Sequence, residues 1–132
     1  MKLVPRTGTS YRWAWSMRII ARNTLTRFVQ SLARQKDGSA VKAALDAWFH
    51  EAQRATWHSP AAVKKSYGTA SIINEERVVF NIKGNAYRLV TSIHYERQIV
   101  FIKWLGSHSE YDKIDVRKVE YGDQTYQKQR RS

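Results

Sequence analysis

The sequence predicts an α+β fold: an N-terminal strand and a two-helix hairpin packed on one face of an antiparallel β-sheet. Three observations point to it. Residues 77–83, 86–95 and 98–105 are consecutive runs rich in β-branched and aromatic residues, separated by short turn signals. Two upstream stretches carry apolar residues at helical spacing. The chain of 132 residues suits one domain of ordinary size.

Residues 1–16 show no period, and Pro5, Gly8 and Ser10 break any element, so they read as a loose extension. Within it Tyr11, Trp13 and Trp15 alternate as in a short added strand. Met17 opens a short buried strand through Ile19 and Ile20, and Asn23 or Thr24 suits a helix N-cap. Leu25, Phe28, Val29 and Leu32 predict a first helix over residues 24–35. Asp37 and Gly38 end it, and Ser39 can cap a second helix reaching about Thr56. That helix carries a stripe of Val41, Ala44, Leu45, Trp48, Phe49 and Ala52. Residues 57–60 break it; Trp57 and His58 read as packing residues, and His50 as a surface histidine. Residues 61–67 form a helical turn or a loop bearing Lys64 and Lys65, and 69–74 read as a strand edge.

Gly84 and Asn85 are a two-residue hairpin signal, since both tolerate positive φ. Glu96 and Arg97 are a weaker one. With two-residue loops, Ile82 faces Tyr87 and Asn81 faces Arg88, while Leu89 faces Trp104, Val90 faces Lys103 and Thr91 faces Ile102. One face then carries Val78, Phe80, Ile82, Leu89, Ile93, Val100, Ile102 and Trp104, and needs helices over it. The other carries Asn81, Lys83, Arg88 and Lys103 among Val79, Val90, Phe101 and Leu105. Its cations suit a phosphate chain, though an exposed sheet face carries such residues in any case. Gly106 releases the last strand, and residues 117–132 read as a basic, mostly solvated tail with room for a short ordered piece near residues 119–121. The expected organisation is therefore an extension at 1–16, a domain at 17–116 and a tail at 117–132.

The net charge is +12, from 23 Lys and Arg against 11 Asp and Glu. The excess runs along the whole chain, and residues 1–22 hold no acidic residue at all. A polyanionic partner is expected: nucleic acid, the ribosome or an acidic protein segment. No strongly basic amphipathic helix with an aromatic face argues for a membrane surface. Without cysteine there is neither a disulfide framework nor a thiolate metal site, which fits the cytoplasm.

No Gly-rich loop precedes a helix, and no serine sits in a nucleophile elbow. His108, Glu110 and Asp112 share one side of an extended segment, but that spacing is weak evidence for a metal, and neither metal nor cofactor is expected. The basic residues with His108 and Tyr111 suit a different chemistry. RNA carries its own nucleophile, the 2′-OH. Cleavage then needs a proton acceptor, cations on the crowded phosphate and a donor for the leaving oxygen. Histidine titrates near neutrality and serves either proton role. Arg88 and Lys103 suit the phosphate, and Tyr111 suits base stacking or proton transfer.

Two motifs then carry a resemblance. VFNIKGN at 79–85 is followed by YRL at 87–89, and SHSEYDKID spans 107–115. Together with MRII at 17–20 they resemble the HigB-type mRNA interferase toxins of type II toxin–antitoxin systems, within the RelE-like superfamily, over about residues 17–116. The resemblance implies a RelE-like α+β fold and an endoribonuclease that cleaves mRNA, commonly during translation on the ribosome. It also implies neutralisation by a HigA-type helix-turn-helix antitoxin, with operator DNA reached only through that antitoxin. Arg88 falls on the family's middle-strand arginine, His108, Tyr111 and Asp112 on its terminal motif, and Asn81, Gly84 and Asn85 on its hairpin. Lys103 joins the expected catalytic set and Lys83, Lys64, Lys65 and Lys113 the RNA-binding set, beside Asn81 and Asp112. The alternatives are a basic RNA-binding module without catalysis and a co-repressor acting with its antitoxin.

Overall fold

The computed structural model describes residues 17–21, 30–31 and 36–120. The extension expected at 1–16 lies outside them, as does the first helix apart from Gln30 and Ser31, which are helical. In chain order the elements are β1 (Arg18–Ile20), α1 (Gly38–Arg54), α2 (Pro60–Ser66), β2 (Ser71–Ile72), β3 (Arg77–Ile82), β4 (Tyr87–His94), β5 (Ile99–Ser107) and α3 (His108–Tyr111). They build a five-stranded sheet of order β1-β5-β4-β3-β2. The fold is α+β, as expected.

The sheet is mixed rather than wholly antiparallel. β3, β4 and β5 form the expected antiparallel meander, but β1 lies parallel to β5, with Arg18 opposite Ile99 and Ile20 opposite Phe101. The meander leaves the outer edge of β5 unpaired, and the N-terminal strand covers it. β1 is anchored from the other side by Met17, whose N–H donates to the Gln53 carbonyl of α1.

α1 presents the expected stripe, burying Val41, Leu45, Trp48 and Ala52. Its N-cap is Asp37 rather than Ser39, and no side chain caps it; the Asp37 carboxylate instead lies 3.9 Å from Lys83. α2 is a true helix, with Pro60 in its first turn and the Ser59 hydroxyl accepting from the Ala62 N–H. Both helices cover one sheet face, where Val41, Trp48, Trp57 and Val63 pack with Val78, Phe80, Leu89, Ile93 and Val100. Trp57 stacks on Phe80 and donates its indole N–H to Ser66.

The β3–β4 register matches expectation from Ile82↔Tyr87 to Val79↔Val90. The left-handed residues of that turn are Lys83 (φ 54°) and Gly84 (φ 62°), not Asn85. In the β4–β5 pair, Thr91↔Ile102 and Ile93↔Val100 hold, but a bulge intervenes before Val90, which faces Trp104 instead of Lys103. Lys103 is the extra residue, and everything after it changes face. Trp104 therefore leaves the helix-covered face and is fully buried on the other with Val79, Val90 and Val119. Leu105, expected on that outer face, joins the helix-side core. Gly106 does not end the strand; it is a buried residue of β5 opposite Arg88.

The outer face is roofed by the chain that follows α3. Ile114, Val116 and Val119 pack on it, so the chain is ordered at Val119, while Arg117 and Lys118 are exposed. Arg77, buried at 6 % exposure, donates to the carbonyls of Val116 and Val119 and pairs with Glu120 at 3.2 Å.

A Cβ on Gly106 would lie 2.3 Å from the Trp104 ring. Gly106→Ala is therefore expected to destabilise the protein by about 1–3 kcal/mol, as overpacking does. Thermal unfolding of the variant reads it, and Trp104→Leu in the same chain should recover part of the loss.

Candidate active site

The outer face ends in a cluster at the tip shared by the β3–β4 turn and the end of β5. Ser107, the last residue of β5, is also the N-cap of α3. The chain thus turns from strand into helix with His108 as its first helical residue. The His108 N–H donates to the Ala86 carbonyl at 2.9 Å, which clips this corner to the turn.

Arg88 reaches across the tip. One guanidinium nitrogen donates to the Asn85 carbonyl at 2.9 Å, and the other lies 2.8 Å from Nδ1 of His108. Arginine has donors only, so Nδ1 accepts and the neutral ring carries its proton on Nε2. That nitrogen faces the Asp112 carboxylate at 3.9 Å. The guanidinium also lies 5.9 Å from the centre of the Tyr111 ring, which leans in turn on Trp104 at 6.4 Å. Burial pushes the Tyr111 phenol above the ordinary tyrosine value; Arg88 pulls it back and Asp112 adds to the rise. The phenol is thus held protonated, a donor rather than a base.

The expected residues divide. Arg88, His108, Tyr111 and Asp112 come together, and Asn81 adjoins them, its amide donating to Asn85 at 3.4 Å. Lys83 stands on the turn with its ammonium 3.9 Å from Asp37, and Lys113 follows Asp112; both are exposed. Lys103 does not join. It sits at the bulge, roughly 10 Å along β5 from the residue opposite Arg88, and its ammonium pairs with Glu120 at 3.2 Å. The two-residue loop register had put it on one line with Arg88; the bulge and the roof draw it away. Lys64 and Lys65 belong to α2 in the opposite layer, and Lys64 donates to the Ala70 carbonyl at 2.6 Å. Glu110 does not converge with His108 and Asp112, because its carboxylate turns back to Ser107. No group of three His, Asp or Glu side chains among the described residues is arranged to hold a metal.

Two features escaped sequence reasoning. Arg77 and Glu120 tie the roof to the sheet, and nothing local marks them, since 43 positions separate the partners. Ser107 and Glu110 form a capping box, which the S-x-x-E spacing does signal.

A five-stranded mixed sheet backed by helices thus carries an arginine, a histidine and a tyrosine at one tip. The family model HigB_toxin, the RelE-like toxic component of a toxin–antitoxin system, matches residues 41–114, from α1 through α3. The chain belongs to this family. It is the toxin of a toxin–antitoxin system, and its partner is an antitoxin. Among curated proteins nothing matches the chain. No described helix is long and apolar enough to cross a membrane.

Glu120→Ala leaves the buried Arg77 guanidinium without its carboxylate, and an expected cost of about 1–3 kcal/mol follows. Lys103→Ala, on the more exposed arm of the same network, should cost less than about 1 kcal/mol. Denaturant titration of both variants tests this order. Tyr67, Tyr87, Tyr95 and Tyr111 all titrate above the ordinary value, with burial the leading cause in each; for Tyr67 the Glu51 carboxylate that accepts its hydroxyl adds to the rise. The folded state holds these protons more tightly than the unfolded chain does. Their contribution to stability is therefore complete below about pH 10 and is lost as pH rises through the raised values. Melting temperature followed into that range should fall, and Tyr67→Phe should flatten the fall.

Proposed function

We propose that this toxin is a metal-independent endoribonuclease that cleaves mRNA by attack of the 2′-OH on the adjacent phosphate. The observation that carries the reading is the 2.8 Å contact between the Arg88 guanidinium and His108 Nδ1, with the protonated Tyr111 phenol beside them. At rest the arginine occupies the lone pair that a general base needs. A phosphate is the stronger partner for a guanidinium. Its arrival draws Arg88 off the imidazole and frees Nδ1 in the same movement.

His108 then takes the 2′-OH proton as the bond from O2′ to phosphorus forms. Arg88 holds the charge that builds on the phosphate oxygens. The bond from phosphorus to O5′ breaks, and Tyr111 supplies the proton to the leaving oxygen. The products are a 2′,3′-cyclic phosphate and a 5′-hydroxyl. Lys83 and Lys113 neutralise flanking phosphates, and Asn81 offers an amide to a base edge. Lys103, held by Glu120, has no part in the step. The ribosome as the place where mRNA is met, and a helix-turn-helix antitoxin of the HigA type, follow from the resemblance and from the basic surface.

Expression should arrest growth. Arg88→Ala should lower cleavage roughly 10²–10³-fold and His108→Gln roughly 10²–10⁴-fold, and both should relieve the arrest. Mapping RNA ends after expression, with translated mRNA as the substrate, checks this. Intact mRNA in arrested wild-type cells defeats the proposal. Full toxicity from both variants would favour a non-catalytic RNA-binding module.

A further inference from the structure

His108 stands on a helix of four residues. A single turn forms one or two helical hydrogen bonds at the full cost of nucleation, so it has little stability of its own. What closes this turn is the box across it. The Ser107 hydroxyl accepts from the Glu110 N–H at 3.2 Å, and the Glu110 carboxylate accepts from the Ser107 N–H at 3.0 Å. His108 lies between the two halves. Among the described residues, the side chain that restrains the ring besides Arg88 is Asp112 at 3.9 Å, and both partners of that pair are largely exposed. Such a pair holds little.

We infer that Ser107 and Glu110 are positioning residues for the cleavage step, holding the backbone of His108 so that its ring stands beside Arg88 where the phosphate is received; this rests on the endoribonuclease reading. The Glu110 carboxylate accepts from the backbone N–H and from the hydroxyl of Ser107, and in this role it is an acceptor, not a charge for RNA or a proton store for the reaction. A glutamine keeps that acceptor and an alanine does not. Threonine likewise keeps the hydroxyl of Ser107. The rank order of variants therefore separates a cap from a catalytic acid.

The test compares wild type with Glu110→Ala, Glu110→Gln, Ser107→Ala and Ser107→Thr in single-turnover cleavage of a translated mRNA, beside RNA affinity and the nitrogen NMR signals of the His108 ring. Both alanine variants should cleave about 10–100-fold more slowly, the scale on which a misplaced group lowers a rate. Their RNA affinity and the shape of the pH profile should not change. Glu110→Gln and Ser107→Thr should stay near wild type. The His108 signals should move in the alanine variants and return in the conservative ones. Glu110→Gln falling as far as Glu110→Ala overturns the inference, because charge rather than acceptance would then matter. So does wild-type cleavage in the alanine variants, or a loss of RNA affinity that accounts for the slower rate. A wild type that leaves mRNA intact removes the nuclease reading instead, and the NMR arm still decides whether the box holds the ring.

Discussion

One extra residue in β5 sets the arrangement of the whole tip. With Lys103 bulged out, Val90 meets Trp104, and Arg88 meets Gly106. Side chains alternate along a strand, so the slip moves every later residue to the opposite face. Trp104 goes out and Leu105 goes in. The indole then lies over Gly106, where any side chain would collide with it, and supports the ring of Tyr111. Tyr111 in turn lies beneath the Arg88 guanidinium. The site is thus built outward from a backbone irregularity, which is a common place to find bulges.

Net charge proves a poor guide to which cations matter. Arg77 and Lys103 share the Glu120 carboxylate and hold the roof to the sheet. Lys64 satisfies a carbonyl in the helical layer. What these commitments leave at the tip is Arg88, whose partners are neutral, with Lys113 exposed and close to His108 in sequence; Lys83 lies 3.9 Å from the Asp37 carboxylate. A guanidinium facing neutral acceptors is ready to exchange them for an anion; one already paired with a carboxylate is not.

The corner from β5 into α3 solves a mechanical difficulty. A side chain presented to a ligand must be accessible yet held closely, and loops seldom do both. Here the histidine is exposed while its backbone is fixed, by the Ala86 carbonyl on one side and the capping box on the other. The family match ends at Ile114, the first residue of the segment that roofs the outer face.

Much of this protein is local and was legible in order. The alternation of residues 77–105, the stripe from Val41 to Ala52, the hairpin at Gly84 and the apolar face all follow from the two periodicities of the backbone. The approach of Arg88 to the motif that begins at His108 also followed, because both belong to one end of one hairpin. Local pattern could not place the bulge: a register extrapolated from a turn stays regular, whereas the real one yields to a tryptophan that needs a glycine beneath it. Nor could it pair Arg77 or Lys103 with Glu120, or lay β1 parallel to β5. Those choices depend on which surfaces meet once the helices have covered one face and left the other to be roofed. The sequence by itself determined the elements, the basic character and the residues capable of chemistry; the tertiary structure decided which of those residues stand together, since only packing chooses between faces that the pattern leaves equal.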